Sequence, residues 1–286
     1  MSGMTHAPRG DFPWGPALLF CPADRPDRYA TALERADAVI IDLEDAVDPA
    51  GRPAARDALA ASALDPARVI VRVNAAGTAD HAADLAAVAR TPYTAVMLPK
   101  AERSDDLAAL AGLRVIALCE TAAGVLGAQA LAAAHGVLAL MWGAEDLVAS
   151  LGGSSSRHPD GRYRDVAVHA RSAVLLAAGA EGIAAIDTVH LQIDDQEGLA
   201  EEARDAVAVG FAATACIHPS QVPVIRQAYR PSEAEIGEAT ELLAAAAATP
   251  GVFRFRGRMV DGPVLAHARS VLARASRAGG PEPRAE

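Results

Sequence analysis

Residues 38–45 read Ala-Val-Ile-Ile-Asp-Leu-Glu-Asp, and residues 69–74 read Val-Ile-Val-Arg-Val-Asn. The first is an unbroken apolar run until Asp42, the pattern of a strand buried on both faces. Charge arrives only at its C-terminal edge. Working outward, the same device recurs along the chain: Ala17–Cys21, Asp37–Asp42, Val69–Val73, Ala95–Leu98, Val115–Cys119, Leu138–Trp142, Ile186–Val189 and Ala213–Ile217. Each run is followed by an Ala/Leu-rich stretch of helical period. That alternation predicts an α/β chain folded as a closed parallel barrel, a (β/α)8 TIM barrel, whose chemistry sits where strands hand over to loops. The residues at those edges are Asp42, Glu44 and Asp45, then Arg72, Lys100, Glu120, Glu145 with Asp146, and His218. Many carboxylates, one arginine and no histidine cluster suit a hard metal ion and an anionic substrate.

The chain has 286 residues, and an eight-fold barrel typically takes about 250, so one barrel with extensions is expected. The predicted division is a flexible leader over 1–15, the barrel over 16–230, a helical C-terminal extension over 231–278 and a disordered tail over 279–286. A formal charge of −10 without a basic stripe argues against nucleic acid as a partner. No apolar run approaches a membrane span, and the first residues lack a signal-peptide core, so a cytoplasmic protein is expected. Cys21, Cys119 and Cys216 fall inside predicted strands without metal-ligand spacing and read as small core residues. There is no P-loop, no dinucleotide-binding glycine pattern and no H-E-x-x-H. The one long irregular segment, Gly152 to Arg164, reads either as a surface excursion or as a binding lid whose amides and arginines hold phosphate.

Glu120 and Asp146 follow the fifth and sixth runs and would project into one mouth. Two carboxylates with waters and substrate oxygens are how Mg²⁺ is held; the competing reading is that each caps the next helix. Arg72, flanked by valines, needs a partner: an ion pair to Glu44 or Glu120, a fork for a substrate carboxylate or enolate, or both. Lys100, the only lysine, allows a rival mechanism through a Schiff base, although nearby carboxylates would keep it protonated. His218 offers a general base or a hydrogen-bonded structural residue.

Seven stretches carry a resemblance. They are Asp-Leu-Glu-Asp-Ala-Val (42–47), Arg-Val-Asn (72–74), Met-Leu-Pro-Lys-Ala-Glu (97–102), Glu-Thr-Ala-Ala-Gly (120–124), Gly-Ala-Glu-Asp-Leu (143–147), Ile-His-Pro-Ser-Gln (217–221) and Gly-Arg-Met-Val-Asp-Gly-Pro (257–263). In this order they resemble the citrate lyase beta-subunit-like proteins, within the wider HpcH/HpaI, malyl-CoA and citramalyl-CoA lyase family. Leu-Phe-Cys-Pro-Ala-Asp-Arg-Pro (19–26) and Gly-Gly-Ser-Ser-Ser-Arg (152–157) are similar to its stand-alone actinobacterial members. The resemblance implies a Mg²⁺-dependent lyase that cleaves or forms a β-hydroxyacyl-CoA thioester, giving a 2-keto acid and an acyl-CoA, in a homotrimer or a dimer of trimers. By the same resemblance, Glu120 and Asp146 are the metal ligands, and Arg72 grips keto-acid and thioester oxygens. Ala144, Glu145 and Asp146 bind substrate, while Glu44 and Asp45 are acids around metal-bound water. Asp261 is an acid/base lent by a neighbouring subunit. Two readings remain beside this one: a Schiff-base aldolase through Lys100, and a non-catalytic CoA-binding scaffold. Which thioester is used, in which direction, and which of Arg25, Arg164 and Arg171 meet CoA phosphates are not legible.

Overall fold

The computed structural model describes residues 12–249 and 251–278. Two compact units divide at Ile225 and Arg226. The first begins with β1 (Ala17–Pro22), α1 (Tyr29–Arg35), β2 (Ala38–Asp42), α2 (Arg52–Ala61), β3 (Val69–Arg72), α3 (Ala79–Val88) and β4 (Ala95–Leu98). It continues through β5 (Arg114–Cys119), α4 (Ala122–Ala132), β6 (Val137–Trp142), α5 (Ala144–Ser150), α6 (Asp165–Glu181), β7 (Ala184–Asp187), α7 (Gln196–Val209) and β8 (Ala213–Cys216). α8 (Gln221–Tyr229) runs across the division. The strands close in sequential order into a parallel barrel, with Leu18 of β1 paired to Ala215 of β8. The expected (β/α)8 fold is the observed one.

Register is what aims the mouth. Asp42 pairs with Arg72 across β2 and β3, and Cys119 pairs with Trp142 across β5 and β6. Glu120 and Gly143 therefore leave the barrel side by side. Proline ends β1, and residues from the ends of the other strands turn straight into loops, so charged side chains stand at the rim and not in the barrel.

The other strands match their predicted bounds within one residue; β7 and the segment after β4 depart further. The seventh strand starts at Ala184, not Ile186. Ala139 and Leu140 of β6 recruit Ala184 and Ala185 by pairing, although those two small side chains carry no β signal of their own. The Ala/Leu-rich stretch after the fourth run, expected to be an α-helix from its period, is a 3-10 segment, Ser104–Leu110. The Asp106 carboxylate accepts from the N–H groups of Glu102 and Arg103 at 3.0 and 2.9 Å, tightening the turn, and Gly112 leaves it at φ +86°.

Of the predicted leader, residues 1–11 lie outside the described residues, but residues 12–15 are part of the fold. Phe12 and Trp14 are buried in the barrel's core cluster with Leu18, Ile40, Met97 and Ile116. Ala38, Ala95, Ala139, Ala184 and Ala213, at or near the strand starts, belong to the same cluster and leave room that the two aromatic rings fill. The rings meet edge to face at 5.3 Å, and the Trp14 indole donates to the Ala67 carbonyl at 2.9 Å. The predicted tail, 279–286, lies outside the described residues. Cys21, Cys119 and Cys216 are buried, and burial pushes the Cys21 thiol up to about 11 and that of Cys119 up to about 12. Among the described residues no helix is long and apolar enough to cross a membrane.

The second unit holds α9 (Glu233–Ala248), a hairpin of β9 (Phe253–Phe255) and β10 (Arg258–Val260), and α10 (Gly262–Ala278). Ser232 and Glu235 form a reciprocal cap on α9. Arg256 and Gly257 both take positive φ, 47° and 82°, as a two-residue hairpin turn requires. Ala239, Leu242, Val260, Ala268 and Val271 make its small core.

Trp14→Ala is expected to cost about 3–5 kcal/mol of stability, read as a lowered urea midpoint, because the ring fills the base of the barrel. An unchanged midpoint would show that residues 12–15 are dispensable.

Candidate active site

A buried charge ladder begins at the paired ends of β2 and β3. Arg72 donates from Nε to Asp42 Oδ1 at 2.7 Å and from Nη2 to Asp42 Oδ2 at 2.5 Å. Asp42 is buried and also accepts from the N–H groups of Glu44 and Ala46 at 2.9 and 3.1 Å. Both oxygens are thus fully committed, and the guanidinium is held as a fork. Its Nη1 lies 2.9 Å from Glu44 Oε2, an ion contact without hydrogen-bond alignment, since that oxygen is buried with no hydrogen-bond partner. Phe20 lies under the guanidinium at 4.9 Å. Burial works against the Arg72 charge, but Asp42 and Glu44 outweigh it and raise its pKa further.

Glu44 then meets Lys100, whose ammonium bonds its Oε1 and lies 3.7 Å from Asp45. Burial raises the Glu44 pKa, with Arg72 and Lys100 opposing it. Burial also tends to lower the Lys100 pKa, yet the Glu44 hydrogen bond and the charges of Glu44, Glu120 and Asp45 leave it above its ordinary value. The lysine is a charged strut here, not the neutral amine a Schiff base requires.

Across the mouth stands Glu120. Its Oε1 accepts the Lys100 N–H at 3.0 Å, and Lys100 holds a left-handed backbone, φ 51°, to aim that N–H. The capping role falls to the next residue: Thr121 accepts from Gly124 N at 3.0 Å and starts α4. Gly143 is needed beside it, because a Cβ there would lie 2.8 Å from the Glu120 Cβ and 2.9 Å from Oε2. Asp146, half-buried in the first turn of α5, is close enough to repel it. Burial first, then the charges of Asp146 and Glu44, push the Glu120 carboxyl up to about 8, against the weaker pull of Lys100 and Arg72.

Such a pair fits a divalent cation. Among the described residues no three His, Cys, Asp or Glu side chains form a ready-made cage. Two carboxylates are enough for Mg²⁺, which keeps several waters and takes substrate oxygens. The structure brings Asp42, Glu44, Arg72, Lys100 and Glu120 together, with Asp146 beside Glu120. Ala144 is buried and Glu145 exposed next to it, while Asp45 is exposed beside Lys100. His218 is exposed, its Nδ1 bonded to Ser220 Oγ at 2.7 Å. Asp261 belongs to the second unit, where its carbonyl accepts from Leu265 N at the start of α10. Asp42 as the Arg72 partner went unassigned in the sequence, although the aligned ends of the second and third runs could have named it.

The segment 152–164 is tied down on the rim. Ser156 donates to Glu145 Oε1 at 2.5 Å. Arg157 pairs with Glu202, donates to the Tyr163 hydroxyl at 2.5 Å and stacks over that ring at 3.8 Å. Tyr163 meets Trp142 edge-on, and Trp142 donates to Asp187 at 2.6 Å. Arg171 is engaged by Asp187 and Asp205, at 2.8 and 2.5 Å, and Arg25 by Asp27 at 2.8 Å. Of the three arginines considered for phosphate contacts, those two already face carboxylates; Arg164 is exposed.

Comparisons with known proteins bear on the family and the fold. The HpcH/HpaI aldolase/citrate lyase family profile matches residues 17–219. A citrate lyase subunit beta-like protein of Mycobacterium tuberculosis is 59% identical over 264 residues, covering 92% of this chain and 97% of the relative. A (3S)-malyl-CoA thioesterase of Cereibacter sphaeroides is 34% identical over 280 residues, covering 91% and 94%. The crystal structure of protein CitE from M. tuberculosis, in complex with magnesium, acetoacetate and coenzyme A, superposes with a TM-score of 0.88 at 59% identity. It covers 92% of this chain and 99% of that one.

Metal affinity should depend on pH through Glu120. The protonated acid must lose its proton to bind the ion, so Mg²⁺ affinity is expected to rise with pH up to about 8 and then level off. Calorimetry at pH 7 in buffers of different ionisation enthalpy should show proton release on binding; pH-independent affinity from 6 to 8 would contradict the assignment. Without metal, the sign reverses for stability: a carboxyl raised from 4.5 to about 8 on folding makes the fold lose stability as pH climbs through that window.

Proposed function

We propose that this chain, which belongs to the HpcH/HpaI aldolase/citrate lyase family, is a Mg²⁺-dependent carbon–carbon lyase acting on a β-hydroxyacyl-CoA thioester. Malyl-, citramalyl-, hydroxymethylglutaryl- and citryl-CoA are the candidate substrates, with a 2-keto acid and an acyl-CoA as products. The observation that carries the reading is the acid pair Glu120 and Asp146, one member deeply buried, set beside an arginine locked in place by Asp42.

Glu120 and Asp146 would hold the ion, which would supply Lewis acidity toward the oxygens of the keto acid. The chain's own residues do the rest. Arg72 presents a permanent positive charge to the oxygens that gain negative charge as the C–C bond breaks. Because Asp42 fixes it beforehand, little reorganisation is needed in the reaction. Ala144, Glu145 and Asp146 line the substrate in this reading, and Glu44 with Asp45 hold Lys100 and order the water at the mouth. In cleavage the hydroxyl gives its proton to the mouth water that Glu44 and Asp45 order, and its oxygen becomes the carbonyl of the 2-keto acid. The C–C electron pair passes to the α-carbon of the thioester as an enolate, and a protonated Asp261 of an adjacent protomer returns a proton to that α-carbon. In synthesis Asp261 removes it. This role calls for a homotrimer or a dimer of trimers.

Purified protein incubated with Mg²⁺ and the four thioesters should yield a keto acid and an acyl-CoA, detected by mass spectrometry. EDTA should abolish turnover, and Asp146→Ala should stay folded while losing metal. Activity without divalent metal, or free CoA released with no acyl-CoA product, would contradict the lyase. Borohydride with pyruvate should leave the chain unlabelled, since Lys100 is kept charged by Glu44; a covalent adduct at Lys100 would restore the Schiff-base route.

A further inference from the structure

Asn74, which closes the Arg-Val-Asn stretch, has no part in the chemistry above, yet it is buried and heavily bonded. Its backbone N–H and its side-chain amide both donate to Asp84 Oδ2 at 2.7 Å. The amide also donates to the Leu43 carbonyl at 2.9 Å, and the Asn74 carbonyl meets His81 Nδ1 at 2.8 Å. Leu43 is the residue between Asp42 and Glu44, and its own N–H donates to the Arg72 carbonyl at 2.9 Å. The peptide that carries the two acids is therefore gripped at both its N–H and its carbonyl by the exit of β3. Asp84 is fully buried, and its other oxygen accepts from Arg56 Nε on α2 at 2.7 Å.

We propose that Asn74 and Asp84 are positioning residues for Arg72 and Glu44: Asp84 aims the Asn74 amide at the Leu43 carbonyl, which sets the Asp42–Glu44 peptide against the strand end bearing Arg72. An amide is the side chain that fits, because its two donor hydrogens serve Asp84 and Leu43 at once. A carboxylate of the same shape could not donate, and a shorter hydroxyl has one hydrogen for two acceptors. Arg56 and Asp84 in turn anchor that amide to α2 and α3, outside the mouth, so the alignment does not depend on substrate. Small displacements at such a site are costly to rate.

The inference rests on Arg72 being the group that meets the substrate, and its test separates the two. Mg²⁺ alone, and pyruvate in the presence of Mg²⁺, are titrated by calorimetry into wild type, Asn74→Ala and Asp84→Asn. Values of kcat and KM are measured on whichever thioester the wild type cleaves. Mg²⁺ affinity is expected to stay within about twofold, because Glu120 and Asp146 are carried by β5 and α5, to which Asn74 and Asp84 make no hydrogen bond among the described residues, while pyruvate affinity and kcat fall at least about tenfold. Asp84→Asn keeps the volume and serves if Asn74→Ala does not fold. Folded variants that bind pyruvate and turn over as wild type does would overturn the proposal. So would variants that lose Mg²⁺ as severely as pyruvate, or the failure of both to fold, since the pair would then be scaffold only. If wild type binds pyruvate with Mg²⁺ but cleaves no thioester, the proposed function fails and the pyruvate affinities still decide this point.

Discussion

A carboxyl group that cannot comfortably ionise sets the terms for everything around it. Glu120 is buried where β5 leaves the barrel, and its neighbours Asp146 and Glu44 add like charge. Left alone, an ionised acid there would be strongly disfavoured. It nevertheless sits in a prepared seat, with the Lys100 N–H on one oxygen and space cleared by Gly143. A left-handed lysine backbone and a glycine are both committed to holding this one acid, a donor set that fits a cation. The parallel register of β5 and β6 makes this possible by bringing Glu120 and the first turn of α5 out of the barrel together.

Positive charge is handled differently a few strands away. Arg72 has both of its forward donors matched by Asp42, so the pair is close to neutral and its aligned hydrogen bonds offset part of the cost of burying two charges. Glu44 is only partly compensated, by an unaligned contact with Arg72 and by Lys100. The mouth thus divides into a locked ion pair, a charged strut in Lys100, and an acid pair in Glu120 and Asp146. Oriented charge around a small anionic substrate is what stabilising an enolate demands.

Much of this was legible in the sequence, and for physical reasons. A strand buried on both faces must be apolar until it ends, so charge marks the mouth directly: Asp42, Arg72 and Glu120 all stand where the runs stop. The start of β7 was hidden because Ala184 and Ala185 gain their strand conformation from pairing with β6. Phe12 and Trp14 looked like part of a loose leader because their partners, alanines at the strand starts, lie far away in the chain. The hydrogen bonds that order Gly152–Arg164 were equally hidden, since Arg157 finds Glu202 and Ser156 finds Glu145 only in three dimensions. Hydrophobic pattern reports burial; it does not report which polar groups meet.

The claim that Glu120 and Asp146 jointly seat a divalent ion is tested most directly by anomalous diffraction from crystals soaked in Mn²⁺ at pH 8, with Mn²⁺ standing in for Mg²⁺. One strong peak is expected to bridge the two carboxylates, within direct coordination distance of an oxygen from each. A peak elsewhere in the barrel mouth, or an ion held by only one of the two acids, would contradict it.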